Sequence, residues 1–169
     1  MDLETAIRTR RTHKAYRPEP VPREEVEELL ELARWAPNHH VTNPWRFRVV
    51  GPAALARLKR AAGPETAPKL DRAPTLIACT AVTSDDPVEA EEDLHAVACA
   101  AYNVLLGAHA HGLAAYWRTP AVLRAAEGRE ALGIPPDERF VGLLYVGRPI
   151  QEQRPPVRAE VSTYVEWLD

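Results

Sequence analysis

The feature that most constrains the fold is a run of 22 residues, Ala96 to Trp117, without a single Asp, Glu, Lys or Arg. Its length alone would suffice to cross a membrane. However, the run leans on alanine more than leucine, and it carries Asn103, His109, His111, Gly107 and Gly112. Polar residues at membrane depth are costly. A helix apolar all round belongs inside a core or between subunits. A long central helix, buried on all sides, is therefore expected over Glu89 to His111. Its stripe is Leu94, Val97, Ala101, Val104, Leu105 and Ala108.

The segments around it sort by period. Residues 2 to 9 form a short helix with Leu3, Ala6 and Ile7 on one face, and Arg23 to Ala36 form a second, ended by Pro37. Trp45 to Val50 alternates apolar and basic residues, a strand with one wet face. Thr75 to Val82 and Phe140 to Gly147 are short and almost wholly apolar, which marks buried strands. Ala53 to Ala62 reads as a surface helix stopped by Gly63-Pro64, and Ala114 to Arg118 as a short strand. Helical stretches are expected from Pro120 to Glu127 and from Arg129 to Gly133. The tail is Pro-rich, then ends in Tyr164, Val165, Trp167 and Leu168, a composition that covers something, a second subunit being one choice. With few strands for so many helices, the architecture expected is an α+β sandwich.

A length of 169 residues, 46% apolar and 27% charged, fits one folded domain over residues 1–169 and excludes disorder as the main state. The net charge of -3 argues against a nucleic-acid face. Cys79 and Cys99 are too few for a disulfide scaffold and read as buried thiols of a reducing compartment. The first eight residues carry acids where a secretory signal needs positive charge, so the expected location is cytoplasmic.

No glycine-rich phosphate loop, metal-binding motif or nucleophile motif is present, so a phosphate would have to be held by side chains. Arg10-Arg11-Thr12 can do that, because guanidinium forks pair bidentately with phosphate oxygens, and Lys14 could join from an extended backbone. The same run also fits a solvated basic turn closing a helix. His39 and His40 sit in a polar loop after Pro37 but have no partners at metal-ligand spacing. Trp117-Arg118-Thr119-Pro120 ends a strand and could hold a planar ring, or it is an ordinary turn with a half-buried Trp.

Taken in order along the chain, five pieces resemble the nitroreductase family of flavoenzymes. They are Arg10-Arg11-Thr12-His13-Lys14-Ala15-Tyr16, Trp35-Ala36-Pro37-Asn38-His39, Asn43-Pro44-Trp45-Arg46-Phe47, Tyr116-Trp117-Arg118-Thr119, and Val141 to Pro149. Two positions depart: His13-Lys14 stand where many members carry a second arginine, and Asn43 replaces a common Gln. The resemblance implies a nitroreductase-like α+β sandwich, with a small, mainly antiparallel central sheet flanked by helices. It implies a homodimer with FMN at the subunit interface, reduced by NAD(P)H and reoxidised in ping-pong order by nitroaromatics, quinones or activated alkenes. By the same resemblance, Arg10, Arg11 and Thr12 hold the phosphate and ribityl chain, and Arg148 is a further phosphate candidate. Trp35 and His39 reach the flavin from the neighbouring subunit. Trp117, Arg118 and Thr119 meet the isoalloxazine edge, where backbone amides stabilise negative charge. The rival readings are another reaction on the same fold, such as dehalogenation or dehydrogenation, and a flavin carrier.

Overall fold

The computed structural model describes residues 1–168. Helix α1 (Leu3–Thr9) is opened by Asp2, whose carboxylate accepts from the Thr5 N–H at 2.9 Å. Helix α2 (Arg23–Ala33) buries Val26, Leu29 and Ala33. It stops three residues short of the expected Ala36, because a residue before proline is pushed out of helical geometry. The chain instead tightens through i→i−3 bonds from the Trp35 and Ala36 amides to Leu32 and Ala33.

A 3-10 turn (His39–Val41) leads into β1 (Trp45–Val49), followed by α3 (Pro52–Ala62), α4 (Ala67–Leu70) and β2 (Thr75–Val82). Helix α5 (Pro87–Ala110) is capped by Asp86, whose carboxylate accepts from the Val88 and Glu89 amides. Then come β3 (Ala114–Arg118), a 3-10 turn (Ala121–Arg124), α6 (Ala126–Ala131), β4 (Glu138–Gly147) and a last 3-10 turn (Val161–Thr163). The two helical stretches expected over 120–133 are thus one 3-10 turn and one short helix.

The four strands form one antiparallel sheet in the order β1-β2-β4-β3. Alternate residues of β2 and β4 face opposite layers. Ile77, Cys79, Leu144 and Val146 pack with α2 and α5, whereas Leu76, Ala78, Leu143 and Tyr145 pack on the other side with Leu58 of α3 and Leu123. Both faces are covered, which is why these strands read as unbroken apolar runs. Helices on both sides of a small antiparallel sheet are the α+β sandwich that the sequence predicts.

Two expectations about α5 need correction. Its inner faces are buried from Ala96 to Ala108, and Gly107 lets Leu29 and Leu32 of α2 lie against its backbone. Its outer face, with His95 and Cys99, is exposed in the single chain, so the helix is not buried on all sides. Cys79 is buried in the sheet, but Cys99 is not a buried thiol. In α1, Leu3 and Ile7 are likewise exposed, and only Ala6 is covered.

Candidate functional site

Arg10 leaves α1 with an extended backbone, and the segment after it lies along the outer edge of β3. Thr12 pairs in parallel with Ala115, and the His13 N–H donates to the Ala115 carbonyl at 3.2 Å. Arg10, Arg11 and Thr12 line a cavity of about 250 Å³ together with Gln153, Arg154, Pro156 and Arg158. Four guanidinium groups therefore converge beside a hydroxyl. Among the described residues, none of the four has a carboxylate partner.

The arginines are held in different ways. Arg11 donates to the carbonyls of Arg8 and Arg10 at 2.8 and 3.0 Å. Arg10 lies over the Tyr102 ring, 5.9 Å from its centroid, and its Nε is buried without a hydrogen-bond partner. Buried donors are ordinarily satisfied, so an orphaned donor on an arginine that lines a cavity with three other unpaired guanidinium groups is consistent with an anionic acceptor. This donor set fits a phosphate group. The cavity suits that end of a flavin nucleotide but is too small for its three-ring system.

A second cavity of about 770 Å³ adjoins the first and shares Arg11 and Gln153 with it. His13 and His109 line it, and the Thr9 hydroxyl lies 2.7 Å from His109 Nε2. Burial is the main reason both imidazoles are held below their ordinary range; the His109 ring and then Arg10 add to it at His13, and Arg10 and Arg11 add to it at His109.

Beyond Ala115 the edge of β3 is open. The Ala115 carbonyl points outward to His13, and Trp117, two residues on, aims its backbone N–H and C=O the same way. The side chains at this end do not converge. The Trp117 indole packs on the α5 side, over Gly142, with Nε1 donating to the Val141 carbonyl at 3.3 Å. Val141 is the extra residue of a β-bulge, since Cys79 pairs with Gly142 and Thr80 with Phe140. On the opposite face, Arg118 donates to the Tyr145 hydroxyl at 3.2 Å and lies over the Tyr116 and Tyr145 rings. Thr119 is exposed just past the strand end.

The α2–β1 connection carries the other expected residues. Trp35 is 73% exposed, with Nε1 donating to Glu31. His39 Nε2 lies 2.9 Å from His40 Nε2, and its Nδ1 lies 3.6 Å from a Glu92 carboxylate oxygen. His40, Val41 and Asn43 all have positive φ, at 51°, 53° and 50°. Three non-glycine residues in the left-handed region are strained, and such strain gathers at functional loops. Thr42 holds the loop by donating to Asp93 at 2.6 Å. Neither Trp35 nor His39 lines the arginine cavity within one chain.

The nitroreductase family model matches residues 7–148. The chain belongs to the nitroreductase family. It is 28% identical over 176 residues to "Putative NAD(P)H nitroreductase YfhC" of Bacillus subtilis, covering 92% of this chain and 91% of that protein. A nitroreductase-like family protein from Bacillus cereus superposes with a TM-score of 0.91 at 22% identity, over 100% of this chain and 97% of that one. A Desulfovibrio desulfuricans protein solved in complex with FMN superposes with a TM-score of 0.82 at 27% identity, over 98% and 96%.

Two candidates stand apart from the arginine cavity. Arg148 is paired with Glu25 at 2.6 Å and ties the end of β4 to α2. Lys14 is exposed and does not line the cavity. Conversely, Arg154 and Arg158 were not legible as site residues in the Pro-rich tail. The available signal was a pair of arginines flanking Pro155-Pro156 in a segment otherwise poor in charge pairing. Among the described residues, no group of three or more His, Cys, Asp or Glu is arranged to hold a metal, and no helix is long and apolar enough to cross a membrane.

Proposed function

We propose that this member of the nitroreductase family is an FMN-dependent NAD(P)H oxidoreductase, working in the cytoplasm as a homodimer with one domain per subunit. The observation that carries the reading is the orphaned Arg10 Nε, set among four unpaired guanidinium groups at one end of an open strand edge. Arg10, Arg11 and Thr12, with Arg154 and Arg158 from the tail, would hold the FMN phosphate. Burial holds His13 and His109 beside them below the ordinary imidazole range, so the permanent positive charge of the site lies on arginine.

When bound, FMN supplies the redox chemistry, taking hydride from NAD(P)H at N5 and returning electrons to a nitroaromatic, quinone or activated alkene. The protein's task is orientation and electrostatics. The outward backbone groups at Trp117, with Thr119 beyond them, form a hydrogen-bonding ledge for the ring edge. The indole of Trp117 keeps that ledge in place by bridging to the bulge at Val141. Arg118, drawn to Tyr145, fixes the strand end from the other face.

Trp35 and the strained His39 loop project from the single chain and would complete the site of a second copy. The exposed outer face of α5, together with Leu3 and Ile7, supports such pairing. The FMN-bound relative supports the cofactor.

The test is the visible spectrum of the purified protein before and after NADPH is added without oxygen. Flavin bands that bleach, and recover when a nitroaromatic is added, are expected. A bound flavin that stays oxidised would point to a carrier. A protein that takes up no FMN would overturn the reading.

A further inference from the structure

A third cavity, of about 580 Å³, opens at the far end of the sheet, where β2 leaves and β4 begins. Arg124, Arg129 and Arg139 line it, against a single carboxylate, Glu138. That carboxylate is already consumed. Arg48 grips both of its oxygens, at 2.6 and 2.9 Å, and the Thr80 hydroxyl donates to it as well. Arg129 is fixed by the carbonyls of Pro135 and Glu138 at 2.6 and 2.9 Å, which spends donors but leaves its charge. Arg124 and Arg139 are exposed, and neither has an ion-pair or hydrogen-bond partner among the described side chains. A chain with a net charge of -3 thus keeps three uncompensated positive charges around one cavity.

The position of this cavity decides what the charge is for. Thr119 and Val141 belong to its wall, and Val141 is the residue that holds the Trp117 indole. The cavity therefore reaches the end of β3, just past the open ledge. The arginine cavity lies at the other end of that strand, about 13 Å away at roughly 3.3 Å per residue from Ala115 to Thr119. FMN has one phosphate, and the reading above assigns it to Arg10 and its neighbours. An anion held by Arg124 and Arg139 would be a second one, so it would belong to a substrate. Phe140 adds an apolar wall, which suits an anion carried on a planar body.

Resting on the flavin placement above, we infer that this cavity is a substrate subsite in which Arg124 and Arg139 take an anionic group, phosphate or carboxylate, of the electron donor or acceptor. Clefts lined by one sign of charge raise the local concentration of oppositely charged ligands. The subsite therefore acts on KM more than on kcat.

The experiment uses the FMN-loaded protein, the R124Q/R139Q variant, and R60Q as a control for lost surface charge. KM and kcat are measured with NADPH, NADH, 4-nitrobenzoate and neutral 4-nitrobenzyl alcohol. The expected result is a KM raised tenfold or more for at least one anionic partner, with the neutral acceptor and the R60Q control moved less than twofold. A rise confined to NADPH identifies its 2′-phosphate, an equal rise with NADH identifies the pyrophosphate, and a rise confined to 4-nitrobenzoate identifies the acceptor's carboxylate. Unchanged KM values for all of them overturn the proposal. Calorimetric titration with inorganic pyrophosphate gives a second readout that needs no turnover. Tenfold weaker binding in the double variant is expected, and equal binding overturns the subsite. Failure to load FMN would count against the cofactor reading alone, because pyrophosphate titrations run in an Arg10→Ala/Arg154→Ala background still compare the protein with and without Arg124 and Arg139.

Discussion

Thr12 is bridged in parallel to Ala115, so the two arginines just before it are anchored to the outer edge of β3 as well as to the end of α1. This bridge brings a basic turn and an open strand edge together, and it makes the first prediction local. Arg10→Ala removes an unpartnered buried donor and leaves the bridge intact. FMN affinity should fall by about 1.5–3 kcal/mol, the scale of a hydrogen bond to a charged group. Arg154→Ala should cost a similar amount. Flavin fluorescence titration measures both, and an unchanged Kd for Arg10→Ala would remove the phosphate assignment.

The neighbouring imidazoles predict how stability depends on pH. His13 and His109 are held below the ordinary value of 6.5 by burial first, with positive charge from Arg10 adding to it. The unfolded chain therefore binds protons near pH 6 that the folded chain refuses. Stability should be full above about pH 7.5 and fall as the pH drops through 6.5. Urea midpoints of the flavin-free protein at pH 7.5 and 5.5 test this against His13→Gln/His109→Gln. The variant should lose less on acidification, and identical losses would show that these rings do not carry the effect.

A third prediction concerns the bulge. A Cβ on Gly142 would stand 2.1 Å from Trp117 Nε1, so Gly142→Ala must push the indole off the Val141 carbonyl. Overpacking of this kind costs about 1–3 kcal/mol. Trp117→Leu in the same chain should recover part of that loss, a coupling that a double-mutant cycle reads from denaturant midpoints. Purely additive losses would mean that the indole is not what the glycine accommodates.

Much of the fold was legible because burial leaves a periodic trace. Strands β2 and β4 are covered on both faces and read as unbroken apolar runs. Strand β1, at the sheet edge, alternates Trp45, Phe47 and Val49 with arginines, and its place as a strand was legible. Val49 is exposed, however, and Arg48 is half-buried against Glu138, so the expected wet basic face is only partly there. Two helical pieces were legible around 120–133, but their type and bounds were not, because tertiary contact fixes them. Gly128 lies where a Cβ would meet the Val122 carbonyl at 1.9 Å, a close approach that no local propensity announces. The site divides in the same way. Arg10-Arg11-Thr12 stands out as a charged run, whereas Arg154 and Arg158 reach it from more than 140 residues away through a Pro-rich tail. The left-handed turn at His40, Val41 and Asn43 left no trace either, since a β-branched valine is among the last residues expected there.

Glu138 gives a prediction about the sheet itself. Burial pushes its carboxyl up, but hydrogen bonds from Arg48 and Thr80 outweigh that and hold it below the usual range. The stability it lends is present above about pH 4.5 and is lost as the pH falls through the lowered folded value. Glu138→Gln keeps the shape but leaves Arg48 without its counter-charge. A loss of about 2–3 kcal/mol is expected, at or just below the low end for a broken buried pair because Arg48 is partly exposed. A Tm within a degree of the parent's would show that the pair is energetically idle.

The outer face of α5 carries the last prediction. Cys99 lies in the exposed stripe of a helix whose other faces are buried, and Leu3 and Ile7 leave α1 equally uncovered. If a second copy covers this face, the contact is isologous, so one substitution is met twice. Cys99→Arg would bring two guanidinium groups, one from each copy, together on a face where Cys99 and His95 are exposed. The expected result is a monomer by light scattering. FMN binding should be weakened at least tenfold, because Trp35 and the His39 loop no longer reach a neighbour's ring. Cys99→Ser is the matched control and should remain a flavin-loaded dimer. A Cys99→Arg protein that stays dimeric and yellow would move the interface elsewhere on the molecule.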